Sequence, residues 1–141
     1  MDKVAVIYWS GTGNTEIMAQ EIARGMQDNG NEVEISSVEN FSGDIGLYSK
    51  IAFGCPSMGD EVLEEYDFEP FFQKVESKLT GKKVALFGSY GWGDGQWMRD
   101  WQDRTSSAGA NLFDKGLIIN GTPDNSGKEQ CYEFGKSFAN Y

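Results

Sequence analysis

Val4-Ala5-Val6-Ile7-Tyr8-Trp9-Ser10-Gly11-Thr12-Gly13-Asn14-Thr15 is the stretch whose reading decides the fold. Its first half is an unbroken apolar run, the pattern of a strand covered on both faces. Its second half is a polar glycine loop. Behind the loop, Ala19, Ile22, Ala23 and Met26 recur at i, i+3, i+4 and i+7, and Asn29-Gly30 ends that helical stripe.

The alternation continues along the chain. Val33-Glu34-Ile35 reads as a shorter strand nearer an edge, and residues 38–48 as a turn or one helical turn. Ile51 to Cys55 is a third strand ended by Pro56. Phe68, Phe71, Phe72, Val75 and Leu79 share one helical face. Val84 to Gly88 is a fourth strand. Trp97, Met98, Trp101 and Ala108 outline a helix that stops at Gly109. Leu112 to Ile119 supplies a fifth strand, and Cys131, Phe134 and Phe138 mark a last helix. Strands alternating with helices predict an α/β fold: a parallel sheet with helices on both faces, in one domain spanning residues 1–141.

Composition removes several functions. The net charge of −10, from 22 acids and 12 bases, argues against nucleic acid, whose phosphates need clustered Lys and Arg. It favours partners with basic surfaces. The chain has no histidine, which excludes Ser-His-Asp and Cys-His mechanisms and removes the commonest metal ligand. Cys55 and Cys131 match no metal or Cys-x-x-Cys spacing and read as reduced, partly buried thiols. Met1-Asp2-Lys3 leads directly into the first apolar run, and no run of 18 apolar residues occurs. The expectation is a cytoplasmic protein without a membrane segment.

Open α/β sheets bind ligands beyond the carboxyl ends of their strands, so three loops carry the chemistry. The first, Ser10-Gly11-Thr12-Gly13-Asn14-Thr15, offers three hydroxyls, an amide and two glycines at a helix N-terminus. Glycine lets several N–H groups converge, and the helix dipole adds positive potential, so the loop reads as a phosphate site without a cation. A triphosphate loop ends in Gly-Lys-Ser/Thr, yet no Lys occurs between Lys3 and Lys50. A dinucleotide fingerprint needs a third glycine where Glu16 stands. A monophosphate is favoured. The second loop, Pro56-Ser57-Met58-Gly59-Asp60-Glu61, carries a thioether suited to one face of a planar ligand and a Gly-Asp turn. The third, Ser89-Tyr90-Gly91-Trp92-Gly93-Asp94-Gly95, interleaves two aromatics with three glycines, so that a ring can stack while backbone amides approach its edge.

Taken together, the three loops resemble those of short-chain flavodoxins of the clostridial type. The resemblance is carried by Tyr8 to Thr15, by Met58-Gly59-Asp60-Glu61-Val62-Leu63-Glu64-Glu65 and by residues 82–95, with Phe134-Gly135-Lys136 fitting the last helix. It covers essentially the whole chain. It implies a three-layer α/β/α sandwich whose five-stranded parallel sheet has the order 2-1-3-4-5, an order given by the family. It also implies a non-covalently bound FMN. Residues 10–15 are then expected to hold the phosphate, Trp92 to stack on one ring face with Tyr90 as rival, and Met58 to lie on the other. Glu61 is expected to accept from the ring N3–H, and backbone groups near Gly91 and Gly93 to bond the pyrimidine edge. The Gly59-Asp60 peptide is expected to turn its carbonyl toward N5–H on one-electron uptake. Pro56 departs from the hydroxyl residue that relatives often carry there, and Asn120-Gly121-Thr122 shows no pattern to carry over. Long-chain relatives insert about twenty residues in strand five, and this chain lacks them.

The function so implied is that of a low-potential one-electron carrier, expected as a monomer, shuttling electrons between redox proteins with basic docking surfaces. It would have no substrate, catalytic residue or metal of its own. The alternative is an FMN-dependent quinone or NAD(P)H reductase of the same fold, and a third reading is an activator of ribonucleotide reductase. Residues 60–69 hold six acids (Asp60, Glu61, Glu64, Glu65, Asp67, Glu69) and no base. That cluster is expected to steer docking and to disfavour the reduced, anionic cofactor.

Overall fold

Side chains alternate across the central strands, and the alternation sorts them into two cores. The computed structural model describes residues 3–141; Met1 and Asp2, read above as leading into the first strand, lie outside the described residues. In β1 (Lys3–Tyr8), Ala5 and Ile7 face one layer while Val4 and Val6 face the other, all four fully buried. β3 (Lys50–Gly54) and β4 (Lys83–Tyr90) repeat the division: Ile51, Phe53, Val84 and Leu86 on the first face, Ala52, Ala85 and Phe87 on the second. Two buried faces explain why these strands read as continuous apolar runs.

The first face is covered by α2 (Phe68–Glu76) and α3 (Gln96–Ser107), and the second by α1 (Asn14–Asp28) and α4 (Asn125–Ala139). The α2–α3 layer is aromatic. Phe68 meets Trp101 edge-on at 5.3 Å, and Phe72 meets Phe53 at 5.4 Å. Each such ring contributes about 2 kcal/mol by leaving water. The α1–α4 layer is closed by small residues. A Cβ on Gly25 would stand 2.1 Å from the Tyr132 carbonyl oxygen, and one on Gly135 would stand 2.1 Å from that of Ile22. The two helices cross with backbone against backbone.

β2 (Glu32–Ser37) pairs with β1 at the sheet edge, its Glu32 and Glu34 keeping that edge polar. All pairings are parallel, in the order β2-β1-β3-β4 followed by the fifth position. Residues 38–48 contain a single 3₁₀ turn, Ile45–Leu47, whose start the Asp44 carboxylate caps by accepting from Gly46 N.

The fifth position corrects the sequence reading. Residues 112–119 do not form one strand. β5 (Asn111–Leu112) pairs with Lys83–Val84, and β6 (Leu117–Asn120) pairs with Phe87–Tyr90. Between them the chain leaves the sheet. Asp114 adopts a left-handed backbone (φ 51°), and Gly116 N–H donates to the Gln102 side chain instead of to β4. Apolar residues flanking Asp114-Lys115-Gly116 masked a turn whose residue types are turn formers.

Both cysteines are buried free thiols, as expected. Burial pushes the Cys131 thiol up to about 12 and the Cys55 thiol higher still, so neither supplies a thiolate near neutral pH. No helix among the described residues is long and apolar enough to cross a membrane.

Candidate functional site

The loops after β1, β3 and β4 meet at one end of the sheet and enclose a cavity of about 230 Å³. Ser10, Gly11, Thr12, Asn14 and Thr15 form one wall, Pro56, Ser57 and Met58 a second, and Ser89, Tyr90 and Gly91 a third. A larger groove of about 640 Å³ lies between residues 38–45 and α2. It is walled by side chains such as Phe41, Phe71 and Lys74, away from the strand ends, so the smaller cavity is the one with converging backbone groups.

The first wall is built for an anion. Gly13 takes φ 97° at the N-cap of α1, a backbone that disfavours any side chain. The first intrahelical bond is Ile17 N–H to Gly13 O, so the amides of Asn14 and Thr15 have no acceptor in their own helix. Ser10 Oγ takes two of the loop's donors, Gly13 N–H at 3.1 Å and Glu16 N–H at 3.2 Å. Gly11 lies so close to the Trp9 ring that a Cβ would fall 2.9 Å from it, which leaves bare backbone on the cavity side. Thr15 and Ser89 tie this wall to the third: their buried hydroxyls are 2.9 Å apart, and Ser89 N–H donates to Thr15 Oγ1 at 3.3 Å. Among the described residues no cationic side chain lines the cavity.

The other walls supply flat and thioether surface. Tyr90 is half-buried and packs on Trp97 at 5.7 Å. Trp97 in turn donates to the Cys55 carbonyl, supporting the strand end that carries Pro56. A Cβ on Gly59 or Gly91 would meet nothing within 4 Å, so space opens over both. Met58 is 38 % exposed and Trp92 61 % exposed, apolar surface left uncovered beside the cavity.

Six of the expected contact residues stand outside the cavity lining: Gly13, Gly59, Asp60, Glu61, Trp92 and Gly93. Gly59, Asp60 and Glu61 form the tip of a tight turn closed by Met58 N–H to Val62 O (2.8 Å) and Val62 N–H to Met58 O (2.9 Å). Glu61 reaches the start of α3 instead, accepting from Gly95 N–H at 3.1 Å and Gln96 N–H at 2.9 Å. Two lining residues were missed. Trp9 floors the phosphate loop, and Gly121 enters from the end of β6, where its N–H donates to the Tyr90 carbonyl. Thr122 follows it and donates to Asn14 Oδ1 at 3.0 Å. The signal was available: a Gly-Thr pair directly after a strand, at the ligand-binding end.

The acidic cluster also changes. Glu64 is buried, and its carboxylate accepts from the amides of Tyr66, Asp67 and Phe68, each at 2.8 Å, so it builds the entrance to α2. Glu69 pairs with Arg104 of α3 at 2.7 Å, and Glu76 shares that guanidinium at 3.0 Å. The Arg104 hydrogen bonds hold the Glu69 carboxyl below its ordinary range. Of the six acids, Asp60, Glu65 and Asp67 remain on the exposed surface.

Known proteins match this arrangement along its length. The family model for flavodoxin covers residues 6–135. The chain belongs to the flavodoxin family. The flavodoxin of Clostridium beijerinckii is 49% identical over 136 residues, 96% of this chain and 98% of that protein. The flavodoxin of Megasphaera elsdenii is 46% identical, over 96% of this chain and 98% of its own. A solution structure of the two-electron-reduced Megasphaera elsdenii flavodoxin superposes with a TM-score of 0.88 at 45% identity, covering 98% of this chain and 99% of that one. As a flavodoxin, the chain is an FMN-bound electron carrier rather than an enzyme, which sets the reductase alternative aside. The structure passes the test of fit: free amides at a helix N-terminus suit a phosphate, and the open glycines beside Met58, Tyr90 and Trp92 suit a flat ring. FMN supplies the reversible electron uptake that no side chain here provides.

Proposed function

We propose that this flavodoxin holds FMN by Ser10–Thr15 at the phosphate, by Pro56–Glu61 and Ser89–Gly93 around the ring, and adds Gly121 to that set. The carrying observation is the first wall, where backbone amides at the N-terminus of α1 converge on a cavity with no cationic side chain. Such a wall recognises phosphate through N–H geometry and helix dipole alone. Binding of FMN and riboflavin to the apoprotein, followed by flavin fluorescence, tests this. FMN is expected to bind at least about 100-fold more tightly, the worth of two charge-assisted hydrogen bonds. Equal affinities would sink the assignment.

In this reading residues 1–141 act as one domain, working in the cytoplasm as a monomer with partners whose docking surfaces are basic. Asp60, Glu65 and Asp67 are exposed, as are the apolar Met58 and Trp92, and surface charge of one sign steers partners of the other. The same charges favour a low potential, because added negative charge on the cofactor is repelled. Changing the three to Asn, Gln and Asn is expected to raise the second reduction potential by on the order of 10 mV per charge, less at high salt. A redox titration showing no change would remove this role from the cluster.

A further inference from the structure

The turn after β6 is tied down on both sides. Gly121, at φ 70°, donates its N–H to the Tyr90 carbonyl at 2.8 Å. Further on, the Asp124 carboxylate accepts from Gly127 N–H at 2.8 Å and caps α4, and Pro123 just before it is buried. Thr122 is thereby held in place between two anchors, exposed and outside the cavity lining. From there its hydroxyl reaches across 108 residues of sequence and donates to Asn14 Oδ1 at 3.0 Å. Asn14 opens α1 and lines the cavity. Its Nδ2 makes no hydrogen bond among the described residues.

A carboxamide carries an acceptor at one end and two donors at the other, on ends of nearly equal size. Unrestrained, the Asn14 side chain can turn either end toward a ligand. An anion tells the ends apart: the NH₂ end binds it, and the oxygen end repels it. We infer that Thr122 is a positioning residue for phosphate recognition: by engaging Oδ1 it orients the Asn14 carboxamide and leaves the NH₂ free for the anion. The inference rests on the FMN site proposed above. It gives the phosphate wall a directed side-chain donor that is already set before the ligand arrives, which lowers the ordering cost of binding. The turn after β6 then governs phosphate specificity through Asn14, without Thr122 lining the cavity itself.

Thr122→Val removes the hydroxyl and keeps the shape of the side chain. Titration of the apoprotein with FMN and with riboflavin, read by flavin fluorescence, tests the role. FMN binding is expected to weaken about fivefold, the worth of one hydrogen bond, while riboflavin, which has no phosphate, stays within about twofold of wild type. Thr122→Ser keeps the donor and is expected to bind FMN as the wild type does. In an Asn14→Ala background, adding Thr122→Val is expected to cost nothing further, because the group it orients is gone. A hydroxyl that merely supports the fold would weaken both flavins alike, or act equally in both backgrounds. Either result overturns the inference, as does wild-type FMN affinity in Thr122→Val. Failure of the cofactor assignment is seen separately, as wild-type protein that binds FMN no more tightly than riboflavin.

Discussion

Gly135→Ala is expected to lower the stability of the apoprotein by roughly 3 kcal/mol, about a 10 °C drop in melting temperature for a chain of this size. The added methyl carbon would stand 2.1 Å from the Ile22 carbonyl oxygen and 2.8 Å from its carbon. Those are backbone atoms in the middle of α1, so no rotamer change relieves the clash. The helices must separate, and separation opens gaps around Met18, Ile22 and Phe138, all fully buried. Helix propensity works the other way, since Ala is favoured over Gly by about 1 kcal/mol inside a helix. The sign of the measured change therefore decides which effect wins. Urea unfolding of the two apoproteins reads it, and a variant as stable as wild type would show that the α1–α4 crossing is softer than its geometry.

Glu64→Ala is expected to cost a similar amount, about 3 kcal/mol, by a different route. The carboxylate is 4 % exposed and accepts three backbone N–H groups at 2.8 Å. Removing it leaves three donors near the start of α2 without their acceptor, and each unsatisfied buried donor costs about 1–3 kcal/mol before relaxation and water entry reduce the total. Phe68 follows directly and anchors α2 against Trp101. Fraying of this turn therefore loosens an aromatic contact as well as a cap. Glu64→Gln keeps one acceptor oxygen and is expected to lose about 2 kcal/mol. A pair of thermal melts separates the cases: equal stability of Gln and wild type would show that the negative charge adds nothing to the cap.

These two residues mark where sequence reasoning succeeds and where it stops. The strand runs, the helical stripes and the three ligand loops are local patterns, set by the periodicity of burial and by glycine and hydroxyl chemistry at strand ends. They survive folding because both faces of the sheet are covered and the loops converge at one end. Glu64 and Glu61 look alike in sequence, two acids in an acidic run. One is buried under α2 and the other reaches α3. Which amide a carboxylate meets depends on how the 58–68 segment folds back, and no periodicity records that. The same holds for Arg104, whose pairing with Glu69 brings a base into a cluster that is purely acidic along the chain. Gly135 was legible as part of a family pattern, but its reason, a backbone contact with Ile22, belongs to packing.

The interrupted fifth strand carries a different implication. β5 and β6 each have their own register with β4, and beyond Phe113, whose N–H still donates to Val84 O at 2.7 Å, residues 114–116 joining them lie outside both registers. Extra chain inserted at that joint would shift neither register, because both anchoring segments remain bonded as before. The joint is thus a length-tolerant seam: the border of the sheet can grow outward there while the cofactor end, fixed by β6 and Gly121, keeps its dimensions.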